Sequence, residues 1–113
     1  MKKIAAIDIG SNAIRMLICY VLQSGNQKIF QKNSYLRLPL RLGEDSFRDG
    51  IISDKKIKTL SEALISFKYM MRVHNVDEYQ IYATSALRES TNSLNVISEV
   101  EDTSGLKINL ING

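Results

Sequence analysis

The chain has no tryptophan, and only one cysteine, one histidine and one proline in 113 residues. A lone cysteine, Cys19, excludes an intrachain disulfide and any cysteine-based metal cluster. Set inside an apolar run, it is expected to be a buried, inert thiol. A lone histidine, His74, excludes a histidine-rich metal site, and its place near an expected helix end points to a structural or exposed role. No apolar run reaches the roughly eighteen residues of a membrane span. The stretch behind Met1-Lys2-Lys3 is broken by Asp8 and Asn12, which makes a poor signal peptide. The expected location is the cytoplasm, with no membrane involved. Charge of one sign is also scarce: 15 basic residues face 12 acidic ones, for a net +3. That balance suits an anionic ligand. It does not call for nucleic acid, because no basic cluster is interleaved with aromatics.

What is present describes one small α/β domain. The length and the 44% hydrophobic content suffice for one modest core. Lys3 to Ile9 is nearly unbroken in apolar residues and reads as a buried strand. Gly10-Ser11-Asn12 is a turn, Ile14 to Leu22 a second strand, and the polar segment 23–27 a hairpin loop. A third strand runs from about Lys28 to Leu40. Its end alternates Leu36, Leu38, Leu40 and Leu42 with Arg37, Pro39 and Arg41, and Pro39 places it at a sheet edge. Gly43 to Gly50 reads as a charged loop. Ser53 is the expected N-cap of a helix reaching about His74, with Ile57, Leu60, Leu64, Phe67 and Met71 as its apolar stripe and Asn75 as its left-handed stop. Glu78 to Thr84 is a fourth strand, whose Tyr79 and Tyr82 read as packing residues. Thr91 to Thr103 is a second helix with Leu94, Ile97 and Val100 on one side, stopped by Gly105. Leu106 to Leu110 is a fifth strand. The order is three strands, helix, strand, helix, strand.

Two segments stand where apolar strands give way to small polar residues. In the first, Asp8-Ile9-Gly10-Ser11-Asn12, a strand-end carboxylate suits a hard cation such as Mg2+ or its bound water. Gly10 lets the backbone approach a phosphate, and Ser11 and Asn12 can donate to its oxygens. The same residues also make an ordinary hairpin turn. In the second, Ala83-Thr84-Ser85-Ala86-Leu87-Arg88, hydroxyls precede a short helix and Arg88 lies one turn in, where its fork could pair with phosphate. Taken in isolation, that segment is more simply a serine cap followed by a solvated arginine. Arg15, beside the first segment, could face ligand or solvent.

Taken in order, Ala6-Ile7-Asp8-Ile9-Gly10-Ser11-Asn12 with Ile14-Arg15, Arg41-Leu42-Gly43-Glu44, Ala83-Thr84-Ser85-Ala86-Leu87-Arg88-Glu89 with Asn92, and Ile111-Asn112-Gly113 resemble the successive motifs of the exopolyphosphatase and guanosine pentaphosphate phosphatase (Ppx/GppA) family. The resemblance covers essentially the whole chain. It implies a ribonuclease-H-like lobe of the actin-like ATPase superfamily. It also implies a hydrolase that removes the terminal phosphate of inorganic polyphosphate, or the 5′ gamma-phosphate of guanosine pentaphosphate, with Mg2+. Carried onto this chain, it makes Gly10, Ser11, Asn12, Thr84, Ser85 and Arg88 the phosphate-holding residues and Asp8 the residue at the metal.

Two departures accompany it. Ala13 stands where the family commonly has serine, and the family's catalytic glutamate would fall beyond Gly113. Residues 1–113 are thus expected to be the first part of the N-terminal phosphatase domain, without its remainder or the second lobe, and to be inactive alone. With a covering helix missing, one sheet face should be bare and favour self-association. The alternative from another class is a non-catalytic module of the same fold that binds a phosphorylated ligand or docks partners.

Overall fold

The computed structural model describes residues 1–111; Asn112 and Gly113, the end of the last quoted motif, lie outside the described residues. Five strands form one mixed sheet: β1 (Lys2–Ile9), β2 (Ala13–Ser24), β3 (Gln27–Pro39), β4 (Glu78–Ala83) and β5 (Asn109–Leu110). Their spatial order is β3-β2-β1-β4-β5. The first three are antiparallel, whereas β4 runs parallel to β1 and β5 parallel to β4. The helices are α1 (Leu42–Asp49), α2 (Asp54–Val73), α3 (Ser85–Glu89) and α4 (Ser93–Ser104). The order of strands and of the two long helices is the expected one, and Pro39 does end an edge strand. None of the helices is long and apolar enough to cross a membrane.

The period of two along the strands divides the sheet into two unlike faces. Ala5, Ile7 and Ile9 of β1, Ile14, Met16 and Ile18 of β2, and Ile81 and Ala83 of β4 are all buried. Against them lies the α2 stripe of Ile57, Leu60, Leu64, Phe67 and Met71, buried along its whole length. Ser53 caps that helix by accepting from Lys56 N at 3.3 Å. Asn75, at φ 56, and Gly105, at φ 76, take the left-handed conformation where α2 and α4 stop. Lys68 Nζ joins the two helices by donating to Ser104 O at 2.7 Å.

Four expectations are corrected. Of the expected loop 43–50, residues 43–49 are helical and Gly50 is the left-handed stop: Leu42 leaves the strand alternation, buries completely and begins α1. On α4, Val96 and Val100 face the core while Leu94 is 76% exposed. The helix starts at Ser93 rather than Thr91, and packing against the core selects Val96 over Leu94 as the inward position one turn before Val100. The fifth strand is only two residues long, because the N–H groups before it donate to side chains instead of a ladder. Leu106 N donates to Ser104 Oγ, Lys107 N to Tyr79 Oη and Ile108 N to Glu101 Oε2. Cys19 is half-buried rather than buried, since alternation sends Ile18 into the core and Cys19 to the opposite face.

That opposite face carries Ile4, Ala6, Leu17, Cys19, Tyr35 and Tyr82 by strand parity, and no helix of the described residues packs on it. Tyr79 packs against the core, but Tyr82 is 37% exposed there. The expected consequence is concentration-dependent association of the 113-residue polypeptide, weakened by Tyr82→Glu. Sedimentation velocity checks this, and a mass of 12.8 kDa at every concentration would overturn it.

Candidate functional site

Parallel pairing of β1 with β4 sets Asp8 beside Tyr82 and Ile9 beside Ala83. Both candidate segments therefore leave the sheet at the same end and side by side, outside the carboxyl ends of the strands, where ligands of α/β sheets bind. The junction is closed by Ile9 O, which accepts from Thr84 N at 3.2 Å and from Thr84 Oγ1 at 3.4 Å. Beyond it, Ser11 Oγ and Ser85 Oγ lie 2.9 Å apart although 74 residues separate them in sequence.

The first turn is held from below by its own carbonyls. Gly10 N donates to Ala13 O, Leu40 N and Arg41 N both donate to Asn12 O, and Gly43 N donates to Ser11 O, all within 2.9–3.1 Å. The N–H groups of Ser11 and Asn12 and the Asn12 side-chain amide have no protein acceptor among the described residues. The turn thus presents donors outward while its carbonyls are tied inward, which is the polarity an anion requires. A methyl on Gly10 would stand 3.3 Å from Ala13 O and 3.9 Å from Asp8 Oδ2, so the Asp8 carboxylate borders the turn.

The remaining candidates are placed less simply. Thr84 has its N–H and hydroxyl turned to Ile9 O. Arg88, half-buried, donates from Nη1 to Ile111 O at 3.2 Å and from Nε to Glu89 Oε1 at 3.3 Å, leaving Nη2 without a protein partner among the described residues. Helix α3 has only five residues, too few to lend a strong dipole, so the hydroxyls and Arg88 are the anion-seeking groups there. Asn92 works structurally. Its side-chain amide accepts from Ile52 N and donates to Ile52 O, both at 3.0 Å, like a neighbouring strand. Arg15 is exposed, opposite Asp8 on one side and Arg37 on the other.

Residues 41–56 emerge as the support of the first turn, a role the sequence did not disclose. Arg41 sits in the left-handed region at φ 57, ψ 47, immediately before α1, a conformation that costs a non-glycine residue about 1–2 kcal/mol. Lys56 Nζ donates to its carbonyl and also pairs with Asp45 Oδ1 at 3.3 Å. Asp45 Oδ2 accepts from Ser53 N at 2.8 Å. Burial tends to raise the Asp45 carboxyl, but the bonds from Ser53 and the Lys56 ammonium outweigh it and hold the group below its ordinary value. Gly43 adds a close approach: a methyl there would meet Phe47 at 3.1 Å and Ser11 Cβ at 3.2 Å. The legible signal was Gly43 itself, four residues past the end of β3.

A family model described as the Ppx/GppA phosphatase family matches residues 20–113. The chain belongs to this family. Its similarity to the bifunctional 3-dehydroquinate synthase/phosphatase of Fusobacterium nucleatum is 34% identity over 112 residues, 96% of this chain and 17% of that protein. Exopolyphosphatase 1 of Mycobacterium leprae is 25% identical over 111 residues, 98% of this chain and 32% of that one. The crystal structure of the Aquifex aeolicus Ppx/GppA phosphatase, type II variant, superposes with a TM-score of 0.88 at 22% identity, covering 98% of this chain and 36% of that one. The fold is accordingly the ribonuclease-H-like fold of the actin-like ATPases. The chain spans between about a sixth and about a third of these relatives.

Asp45→Asn is expected to destabilise the chain by about 1–3 kcal/mol, because it removes a buried charged acceptor from Ser53 N and Lys56. The carboxyl is depressed in the folded state. Its stabilisation is therefore complete above the ordinary carboxylate value of about 4 and is lost as pH falls through the lower, folded value. Urea unfolding of both proteins from pH 7 down to pH 3 checks this. The gap should be widest at neutral pH and narrow below about pH 4, and a gap that grows in acid would contradict it.

Proposed function

We propose that these residues form the phosphate-gripping part of a phosphoanhydride hydrolase acting on inorganic polyphosphate or guanosine pentaphosphate. The observation that carries the reading is the 2.9 Å approach of Ser11 Oγ to Ser85 Oγ. Two serine hydroxyls in contact, each with a second lone pair and a rotatable proton, stand beside the unengaged N–H groups of Ser11 and Asn12. A terminal phosphate over this pair could approach the backbone closely at Gly10 and would receive donors from Ser11 and Asn12 on one side and from Ser85 and Arg88 on the other. Thr84 holds the second segment in place through Ile9 O, and its hydroxyl is the least available of the set. Preorganised donors aimed at phosphoryl oxygens are the main contribution a protein makes to phosphoryl transfer.

Mg2+ fits the donor set in one manner only. Among the described residues no group of three histidine, cysteine, aspartate or glutamate side chains could hold a metal, so a dedicated protein cage is absent there. Asp8 is a single carboxylate bordering the turn, and Mg2+ is commonly held by one or two carboxylates together with substrate phosphates. Asp8 would hold the ion, which when bound neutralises charge on the phosphoryl oxygens. The resemblance places the water-activating glutamate further along a longer chain, so we also propose that the 113-residue polypeptide binds phosphate compounds without turning them over.

Titration of the polypeptide with inorganic tripolyphosphate should show weak binding that Ser11→Ala and Arg88→Gln each reduce about fivefold or more. Binding indifferent to both substitutions would refute the placement of the site. Phosphate release from tripolyphosphate with Mg2+ at enzymatic rates, abolished by Ser11→Ala, would refute the proposed inactivity while upholding the site.

A further inference from the structure

Next to the first turn lies a cleft of about 650 Å³ lined by Ser11, Asn12, Arg37, Pro39, Arg41, Gly43, Glu44 and Phe47. The function proposed above uses only its Ser11 and Asn12 wall. The opposite wall is cationic: Arg37 near the end of β3 and Arg41 just past it. Arg37 is exposed and has no acidic partner among the described residues. It also lies directly opposite Arg15 in the β2–β3 register. Like charges at facing positions destabilise a sheet pair, and neither arginine relieves this by pairing with Asp8, the next residue in the same cross-strand row. The one carboxylate in the cleft, Glu44, is shared between Arg41 Nη1 at 3.3 Å and Lys56 Nζ at 3.6 Å. The cleft therefore keeps an uncompensated positive field that only something outside the described residues can neutralise.

We propose that Arg37 and Arg41 form a second anion subsite, which takes a further phosphate of the same ligand. Ser11 belongs to both places: its hydroxyl touches Ser85 in the terminal-phosphate site, and its other side lines the cleft. A chain of phosphates whose end rests between Ser11 and Ser85 would run past Asn12 toward the two guanidinium groups. The subsite thus selects ligands with linked phosphates over a single orthophosphate. This rests on the reading of the Ser11–Ser85 site as a phosphate site. It extends that reading by assigning a length-selecting role to residues that do not touch the terminal phosphate.

The test is calorimetric titration of the 113-residue chain with inorganic tripolyphosphate and with orthophosphate, for wild type, Arg37→Gln, Arg41→Gln, Arg37→Lys and Ser11→Ala. Arg72→Gln serves as a control of equal charge, distant from the cleft. Arg37→Gln and Arg41→Gln should each weaken tripolyphosphate about three- to tenfold and leave orthophosphate unchanged, with Arg37→Lys between wild type and Arg37→Gln. Losses no larger than that of Arg72→Gln would overturn the subsite, and sensitivity to Ser11→Ala in the same data would leave the proposed function standing. Sensitivity to the arginines without sensitivity to Ser11→Ala would uphold a polyanion site and overturn the reading beneath it. No tripolyphosphate binding by wild type would overturn both.

Discussion

The carbonyl of Ile9 is the point on which this end of the molecule depends. It accepts from both the amide and the hydroxyl of Thr84, joining the last residue of β1 to the first residue after β4. A parallel pair cannot be closed by a short turn, so the chain must run out through β2 and β3 and back through α1 and α2 before these positions can meet. Once they do, strand register leaves no freedom. Asp8 faces Tyr82, Ile9 faces Ala83, and the turns that follow are held within reach of each other, as the Ser11–Ser85 contact shows. A one-residue slip would invert every side chain of β4 and expose Ile81 and Ala83. The hydrophobic core therefore sets the geometry of the polar site above it.

The intervening residues do more than close that connection. From α2, Ser53 N and Lys56 Nζ converge on Asp45, and Lys56 also reaches the carbonyl of Arg41. These contacts hold Arg41 in its left-handed conformation. That conformation in turn directs Leu40 N and Arg41 N onto Asn12 O and places Gly43 N on Ser11 O. A long helix buried along five apolar positions thus anchors, through one buried carboxylate, the turn between β1 and β2. Carbonyls drawn inward are what leave the Ser11 and Asn12 donors facing outward.

Much of this was legible in the sequence, and the rest was not for definable reasons. Strands β1, β2 and β4 announce themselves because continuous or alternating apolar runs bounded by turn residues admit few other structures. Helix α2 is legible from its stripe and its Ser53 cap. Helix α1 was not, because its N-cap is Arg41 with no side-chain cap bond; nothing in Arg41-Leu42-Gly43 marks a helix start, and Leu42 continues the alternation of β3. The inward positions on α4 were misassigned because Leu94 and Val96 are both apolar, and only tertiary packing chooses between them. Among site residues, the meeting of the two segments follows from strand order, but the engagement of Thr84 with Ile9 and of Arg88 with Ile111 depends on side-chain geometry that spacing does not encode.

The two faces of the sheet also explain why chemistry gathers where it does. The helix-covered face uses its alternate positions for apolar burial and has none left for charge. Charged residues of the strands are therefore confined to the open face and the strand ends, where Asp8, Arg15 and Arg37 fall in one cross-strand row. Such a row holds one carboxylate and two guanidinium groups with no ion pair among them. If the row served stability alone, the facing arginines would be replaced without loss by a charged and a neutral residue. Their position beside the donor-lined turn instead matches what a polyanion needs: an anchoring site of short, oriented donors and, next to it, long flexible cations that follow the rest of the chain.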